Sequence, residues 1–239
     1  MLGIIGVSAL MKPLVINPGV VRKEMPLMLF VLLVFYIVCV DFVITRFEGM
    51  LLSLGILTYL FLSYKSSRSN NNSLEVSEID EVPNDTPILK SAVLLVVGLL
   101  GMILGSTWVV SSASSIAASF GISELVIGIT VVAIGTSLPE LATTILASIS
   151  KESDLAVGNA LGSNVFNVLC VLGLTALILP ITVAPIAVSQ DLPFMLLVCV
   201  LTYVPMLMYK KLTRFHGLIM IVTYVAYCYY LLVRTNTAL

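Results

Sequence analysis

Residues 121–167, GISELVIGITVVAIGTSLPELATTILASISKESDLAVGNALGSNVFN, form two consecutive apolar runs, each long enough to cross a bilayer. Both runs carry polar residues at their middle. The first has Thr136, Ser137 and Glu140 beside Pro139, and the second has Asn159, Ser163, Asn164 and Asn167. A carboxylate at such a depth is costly unless it is paired, protonated or coordinating. The stretch therefore predicts a polar functional site inside a membrane protein.

The side chains in these runs favour a cation site. A helix over residues 124–148 would place Thr136, Glu140, Thr143 and Thr144 on one face. Pro139 has no N–H and its ring clashes with the carbonyl of Gly135, so the helix should kink and free carbonyls at 133–135. Oxygen ligands of this kind suit Ca²⁺ or Na⁺ rather than zinc or copper. Hydrogen bonding between helices is the competing interpretation for any single Ser, Thr or Asn, but Glu140 favours an ion site.

The segments GITVVAIGTSLPELATTILAS and VGNALGSNVFNVLCVLGL resemble the alpha-repeat of the sodium/calcium exchanger family of cation antiporters. The resemblance covers nearly all of residues 89–180 and is closest to bacterial members similar to potassium-dependent exchangers. It implies two inverted repeats whose side chains bind Ca²⁺ and Na⁺ alternately. The ligands implied by motif position are Ala133, through its carbonyl, with Thr136, Ser137, Glu140, Ser163 and Asn167. Some relatives have Asp where this chain has Asn167, so the site has a lower charge here.

The composition excludes other classes of protein. The chain is 59% hydrophobic and 10% charged, which is typical of a protein with several membrane spans. A net charge of −1 gives no reason to expect a nucleic-acid partner. No His or Lys lies in either core run to activate Ser137, so we expect a transporter rather than an enzyme, without a resident cofactor. Ca²⁺ and Na⁺ are the expected transported ions, and K⁺ is a further candidate.

Eight apolar segments are predicted, at 1–11, 25–45, 48–65, 89–118, 124–149, 155–180, 191–209 and 216–233. The first is too short to span a bilayer. Residues 66–88 are polar and predict a solvated linker, and the single His216 is expected in a loop. Alternating crossings place ten Lys and Arg residues on the side of this linker and two on the other side. This bias predicts a cytoplasmic linker in a multi-pass protein of the cell membrane, which is the inner membrane in a bacterium.

The chain also repeats itself. GVSALMKPLVI at Gly6 matches GLTALILPITV at Gly173, 167 residues later, and TRFEG at Thr45 matches TRFHG at Thr213, 168 residues later. The two copies are five crossings apart, so they should lie in opposite orientations. We therefore divide the chain into 1–65, the end of a first exchanger repeat, the linker 66–88, and 89–239, a second repeat with its alpha-repeat at about 121–180.

Residues 89–167 have no earlier copy in the sequence. The prediction is an all-α polytopic membrane helix bundle, an inverted-repeat secondary transporter that is N-terminally incomplete. We expect an antiporter that exchanges Ca²⁺ for Na⁺ and needs a first alpha-repeat, supplied by a separate chain, in the lipid bilayer. A truncated protein without transport activity and a Ca²⁺/H⁺ antiporter are the alternatives.

Overall fold

The computed structural model describes residues 1–70, 88–121 and 127–237, and most of these residues are helical. The α-helices are α1 (Leu2–Met11), α2 (Met25–Val38), α3 (Arg46–Asn70), α4 (Ile88–Ser119), α5 (Ala133–Thr136), α6 (Leu138–Ile149), α7 (Ser153–Phe166), α8 (Gly173–Ile178), α9 (Leu192–Tyr209) and α10 (Arg214–Thr237). Four π-helical segments join them, at Val20–Glu24, Gly128–Val132, Asn167–Leu172 and Ala187–Asp191. Four two-residue strands complete the described part: β1 (Leu14–Val15), β2 (Val43–Ile44), β3 (Ile181–Thr182) and β4 (Lys211–Leu212).

Helix length and composition confirm a polytopic membrane protein. Four described helical segments are long and apolar enough to cross a bilayer. They are Ile88–Ser119, Ser153–Ile178, Ala187–Tyr209 and Arg214–Arg234. Their outward side chains are apolar, as at Trp108, which is 69% exposed.

Two predicted segment boundaries differ from the structure. The segment predicted over 25–45 stops being helical at Val38, where a turn begins; Phe42 then adopts a left-handed backbone conformation with φ of 66°, and the chain enters β2. The segment predicted over 48–65 continues to Asn70, since polar residues beyond the apolar run extend the helix by another turn. Most of the predicted linker, residues 71–87, lies outside the described residues.

The strands pair in a pattern that matches the internal repeat. β1 pairs antiparallel with β4, and β2 pairs antiparallel with β3. In sequence, β1 corresponds to β3 and β2 to β4, so each pair joins one copy of the repeat to the other. The partners are Leu14 with Leu212, Val15 with Lys211, Val43 with Thr182 and Ile44 with Ile181. Exchanging the two copies converts one strand pair into the other, which is the result of an approximate two-fold relation between inverted repeats.

Two close glycine contacts between helices are related by the same exchange of the two copies. A Cβ atom on Gly217 of α10 would lie 2.8 Å from the carbonyl oxygen of Gly6 in α1. In the other copy, a Cβ atom on Gly49 of α3 would lie 2.8 Å from the carbonyl oxygen of Gly173 in α8. Only residues without a side chain allow backbones to approach this closely in a membrane. The glycines that match in sequence, Gly6 and Gly173, therefore lie at equivalent close helix contacts in the two copies.

The chain divides into two compact units, 1–69 with 143–222 and 70–142 with 223–239. The first unit contains both strand pairs and both glycine contacts. Its fully buried side chains include Ile5 of α1, Met25 of α2, Leu161 of α7 and Met206 of α9. These helices thus form one apolar core that draws on both copies of the repeat.

The first turn of α3 is closed by a capping box in the TRFEG motif. The backbone N–H and the hydroxyl of Thr45 both donate to Glu48 Oε2 at 2.8 Å, and the N–H of Glu48 donates to Thr45 Oγ1 at 3.3 Å. These bonds satisfy N–H groups that have no partner inside the helix.

Thr45→Ala should therefore lower the free energy of unfolding by about 1 kcal/mol. For a chain of this size that corresponds to a melting temperature lower by about 2–4 °C. A thiol-reactive dye can follow unfolding, because Cys39 and Cys199 are buried. Thr58→Ala is the matched control, since the Thr58 hydroxyl only donates to Leu54 within α3. Equal melting temperatures for the two variants would contradict a capping role for Thr45.

The matching TRFHG motif uses His216 in place of the glutamate. The Thr213 N–H lies 3.2 Å from Nδ1 of His216, and the Thr213 hydroxyl lies 2.8 Å from the same atom. His216 belongs to the first turn of α10 and is half-buried, so the prediction of a loop position was wrong. An unprotonated Nδ1 accepts hydrogen bonds as a carboxylate does, and this lets the second copy keep its helix start.

Candidate functional site

The helix that carries the motif GTSLPE is broken at Ser137. α5 ends at Thr136, α6 begins at Leu138, and Ser137 between them has φ of −93° and ψ of 1°, a sparsely populated conformation. The Ser137 N–H donates to the carbonyl of Ile134 at 3.1 Å, three residues earlier, which is a tighter turn than the four-residue spacing of a continuous α-helix. The kink predicted from Pro139 is thus present two residues before the proline, which sits in the first turn of α6, where a missing N–H is tolerated.

The break changes which predicted ligands share a face. A continuous helix would align Thr136 with Glu140, but the two residues lie on opposite sides of Ser137 and Thr136 is exposed. Glu140 occupies the first turn of α6, where the helix dipole stabilises a negative charge. Glu140 as a whole is half-buried, but its carboxylate atom Oε2 is fully buried. The C-terminal end of α5 carries the opposite partial charge, so the break combines carbonyls that favour a cation with a nearby carboxylate.

Gly135 explains how α4 packs against this break. Gly135 is buried, and any Cβ atom placed on it would collide with the side chain of Val110 in α4. Close approach at a glycine is the usual way in which membrane helices pack tightly. α4 therefore supports the turn that presents Ser137.

The second candidate group lies along α7 and the π-helical segment after it. The Ser163 hydroxyl is half-buried and donates to the carbonyl of Ala160 at 3.2 Å, which leaves its lone pairs available as acceptors. Asn167 is exposed and begins the π-helical segment Asn167–Leu172. Another π-helical segment, Gly128–Val132, ends directly before Ala133. π-helical turns within α-helices are frequent at functional sites, and no sequence pattern predicted these two.

Asn159, which also lies in the second polar run, has a different role from the candidate ligands. Its side-chain amide nitrogen donates to the hydroxyls of Thr143 and Thr144, both at 2.9 Å. Thr144 is completely buried. These two bonds join α6 to α7 across the turn between them.

The structure thus places the predicted ligands in two groups. Ala133, Thr136, Ser137 and Glu140 surround one helix break in the second unit, whereas Ser163 and Asn167 lie one helical turn apart in the first unit. Among the described residues, no three acidic, histidine or cysteine side chains come together. The available oxygen donors are therefore one carboxylate with hydroxyls, an amide and carbonyls, a set that suits Ca²⁺ or Na⁺.

Comparisons with known proteins identify the family of the chain. The profile of the family described as "Sodium/calcium exchanger protein" matches residues 90–233. The chain is 41% identical over 202 residues to the inner membrane protein YrbG of Escherichia coli, covering 83% of this chain and 62% of YrbG. It is 45% identical over 111 residues to the sodium/calcium exchanger MaX1 of Methanosarcina acetivorans, covering 46% of this chain and 32% of MaX1. The chain thus spans less than two thirds of the length of either relative.

The fold is also similar to a solved exchanger. A structure of the sodium-calcium exchanger NCX_Mj, soaked with Na⁺ and Sr²⁺, aligns with a TM-score of 0.75 and 26% sequence identity. The alignment covers 94% of this chain and 70% of that protein. Together with the profile match over residues that include the broken helix and α7, this places the chain in the sodium/calcium exchanger protein family.

Proposed function

We propose that the chain takes part in secondary active antiport of Ca²⁺ against Na⁺ across the membrane. The observation that carries the proposal is Glu140, a carboxylate in the first turn of α6 directly after the helix break at Ser137. Discontinuous helices with opposed ends are the usual ion sites of secondary transporters. In this proposal Ala133, Thr136, Ser137, Glu140, Ser163 and Asn167 supply oxygen ligands, and Ca²⁺ and Na⁺ compete for the single carboxylate.

We propose further that a first alpha-repeat, on a separate chain, completes the ion site. The two-fold exchange of strand pairs and glycine contacts supports an inverted-repeat architecture, and the printed sequence contains one alpha-repeat. The ten-to-two distribution of Lys and Arg supports an orientation in which residues 66–88 lie on the cytoplasmic side.

The test is ⁴⁵Ca²⁺ uptake into proteoliposomes under an outward Na⁺ gradient. The chain is reconstituted alone and together with a chain that carries a first alpha-repeat. Uptake only in the second case supports a split exchanger, and uptake by the chain alone would contradict the need for a partner. Uptake driven by a proton gradient but not by Na⁺ would replace Na⁺ with H⁺ in the proposal. Absence of uptake under every gradient, with folding verified, would overturn the proposed transport.

Asn167→Asp should increase the affinity of the site for Ca²⁺, because it adds a second carboxylate to an otherwise mainly neutral ligand set. The Ca²⁺ concentration at half-maximal uptake should fall on the order of tenfold, as Ca²⁺ affinity depends on the number of charged ligands. Asn167→Gln is the control, since it changes length but keeps a neutral amide. Unchanged or weaker Ca²⁺ affinity in Asn167→Asp would argue against Asn167 as a ligand. Repeating both measurements with and without K⁺ shows whether the added charge creates potassium dependence.

A further inference from the structure

Three side chains form hydrogen bonds between α6 and α7, and we call them the amide bridge: Asn159 on α7 and Thr143 and Thr144 on α6. The two N–H bonds of one amide each donate to a different hydroxyl, at 2.9 Å in both cases. Thr144 is fully buried, while Thr143 and Asn159 are half-buried. The bridge is therefore mostly shielded from solvent. In such a low-dielectric environment a hydrogen bond is stronger, and a polar group left without a partner is more costly.

Two simultaneous bonds from one nitrogen restrict the geometry more than a single bond does. The hydroxyls belong to neighbouring residues, which project from α6 at directions about 100° apart, as 3.6 residues per turn requires. One amide nitrogen can satisfy both only at one rotation of α6 and at one height along its axis. The bridge therefore fixes both the rotation and the axial position of α6 against α7.

The bridge lies one turn from candidate ligands on each helix. On α6, Glu140 precedes Thr143 and Thr144 by three and four residues, a distance along the axis of about 4.5–6 Å. On α7, Ser163 follows Asn159 by four residues, and Asn167 follows Ser163 by four more at the start of the π-helical segment, so the three side chains lie along one side. A change of rotation at the bridge would therefore be transmitted along rigid helices to the residues that carry the charge and the oxygens.

We propose that Asn159 is a positioning residue for ion binding: it holds α6 in the rotation that presents Glu140 to the transported cation. This inference rests on the proposed antiport function and extends it to a residue outside the ligand set. Its effect is on affinity, because coordination of Ca²⁺ by several oxygens depends on their mutual placement, whereas loss of an ordinary bond between helices lowers only the amount of stable protein.

The experiment compares Asn159→Leu, which keeps the shape of the side chain but removes its donors, with the double variant Thr143→Val and Thr144→Val. Both variants are combined in a third protein. Thr202→Val is the matched control, because the buried Thr202 hydroxyl donates to Val198 within α9 and makes no bond between helices. Each full-length protein is reconstituted with the first alpha-repeat. The readouts are the Ca²⁺ concentration at half-maximal uptake, the maximal rate and the melting temperature.

A second readout does not depend on transport. Spin labels on Leu146→Cys in α6 and Leu155→Cys in α7, both exposed positions, report the distance between the helices. The background is a variant whose four native cysteines are replaced by alanine. This distance is measured in the same bilayers with Asn159 and with Asn159→Leu.

We expect Asn159→Leu to raise the half-maximal Ca²⁺ concentration by about tenfold and to change the label distance. The double threonine variant should raise the half-maximal Ca²⁺ concentration by a similar factor. The protein that combines all three substitutions should show no larger increase than either variant alone, since the three side chains act as one unit. An unchanged label distance would overturn the proposal, as would a fall in melting temperature or maximal rate with an unchanged half-maximal concentration. If the parent protein transports nothing under any gradient, the proposed function fails separately, and the label distance still decides whether Asn159 positions α6.

Discussion

Glu140→Gln is expected to abolish Na⁺-driven Ca²⁺ uptake by the completed transporter, a loss of at least about 100-fold. The substitution keeps the shape of the side chain but removes the only charge among the candidate ligands of the described chain. Neutral hydroxyls, amides and carbonyls alone bind Ca²⁺ weakly, because the ion must lose a hydration shell that only charged oxygens replace well. The measurement is ⁴⁵Ca²⁺ uptake into proteoliposomes under an outward Na⁺ gradient.

Glu152→Gln is the matched control for this substitution. The same Glu→Gln change is made at Glu152, which is exposed in the turn between α6 and α7 and whose side chain does not cap α7. Its substitution should leave uptake unchanged. Wild-type exchange by Glu140→Gln would remove Glu140 from the ion site and would require a different explanation for a half-buried carboxylate in the apolar helix α6.

Gly49→Ala is expected to destabilise the protein by about 3 kcal/mol or more, which places it among the severe substitutions. A Cβ atom at this position would lie 2.5 Å from the backbone nitrogen of Leu177 and 2.8 Å from the carbonyl oxygen of Gly173. Both atoms are backbone, so no side-chain rotation can relieve the overlap and α3 must move away from α8. The melting temperature should fall by about 6–12 °C, given the size of the chain.

The internal repeat gives this prediction two comparisons. Gly217→Ala should have a similar effect, because its Cβ atom would lie 2.8 Å from the carbonyl oxygen of Gly6 and 2.9 Å from the nitrogen of Leu10. Gly101→Ala in α4 should change stability little, since a Cβ atom there meets nothing within 4 Å. If Gly49→Ala melts like Gly101→Ala, the close contact between α3 and α8 does not exist as described.

Much of the architecture follows from local sequence patterns. Long apolar runs predicted the membrane helices, because the length of a span is set by the thickness of the bilayer. The match of TRFEG with TRFHG predicted a duplication. Both motifs begin a helix that packs closely through the glycine at the last motif position, Gly49 or Gly217. Pro139 predicted a break in the helix, since a residue without an N–H cannot continue the ladder of hydrogen bonds.

Other features could not be predicted because they depend on partners far away in sequence. The pairing of Leu14 with Leu212 joins residues almost two hundred positions apart, and two-residue strands have no periodic signal of their own. The π-helical turn at Asn167 is a local deviation that apolar periodicity does not reveal. His216 was expected in a loop, whereas the structure places it in the first turn of α10, where its Nδ1 atom accepts a hydrogen bond from the Thr213 N–H.

The polar residues of the central stretch show most clearly what the sequence determines and what the tertiary structure decides. Their chemistry follows from their identity alone: carboxylate, hydroxyl and amide oxygens in hydrocarbon require partners, and hard cations are suitable ones. Which partner each residue has depends on the folded chain. Asn159 and Ser163 are one turn apart and look equivalent in the sequence, but Asn159 faces the two threonine hydroxyls of α6 and joins two helices, while Ser163 bonds within its own helix. A hydrogen bond needs its donor and acceptor within about 3 Å, so this choice is made by the packing of α6 against α7 and not by residue type.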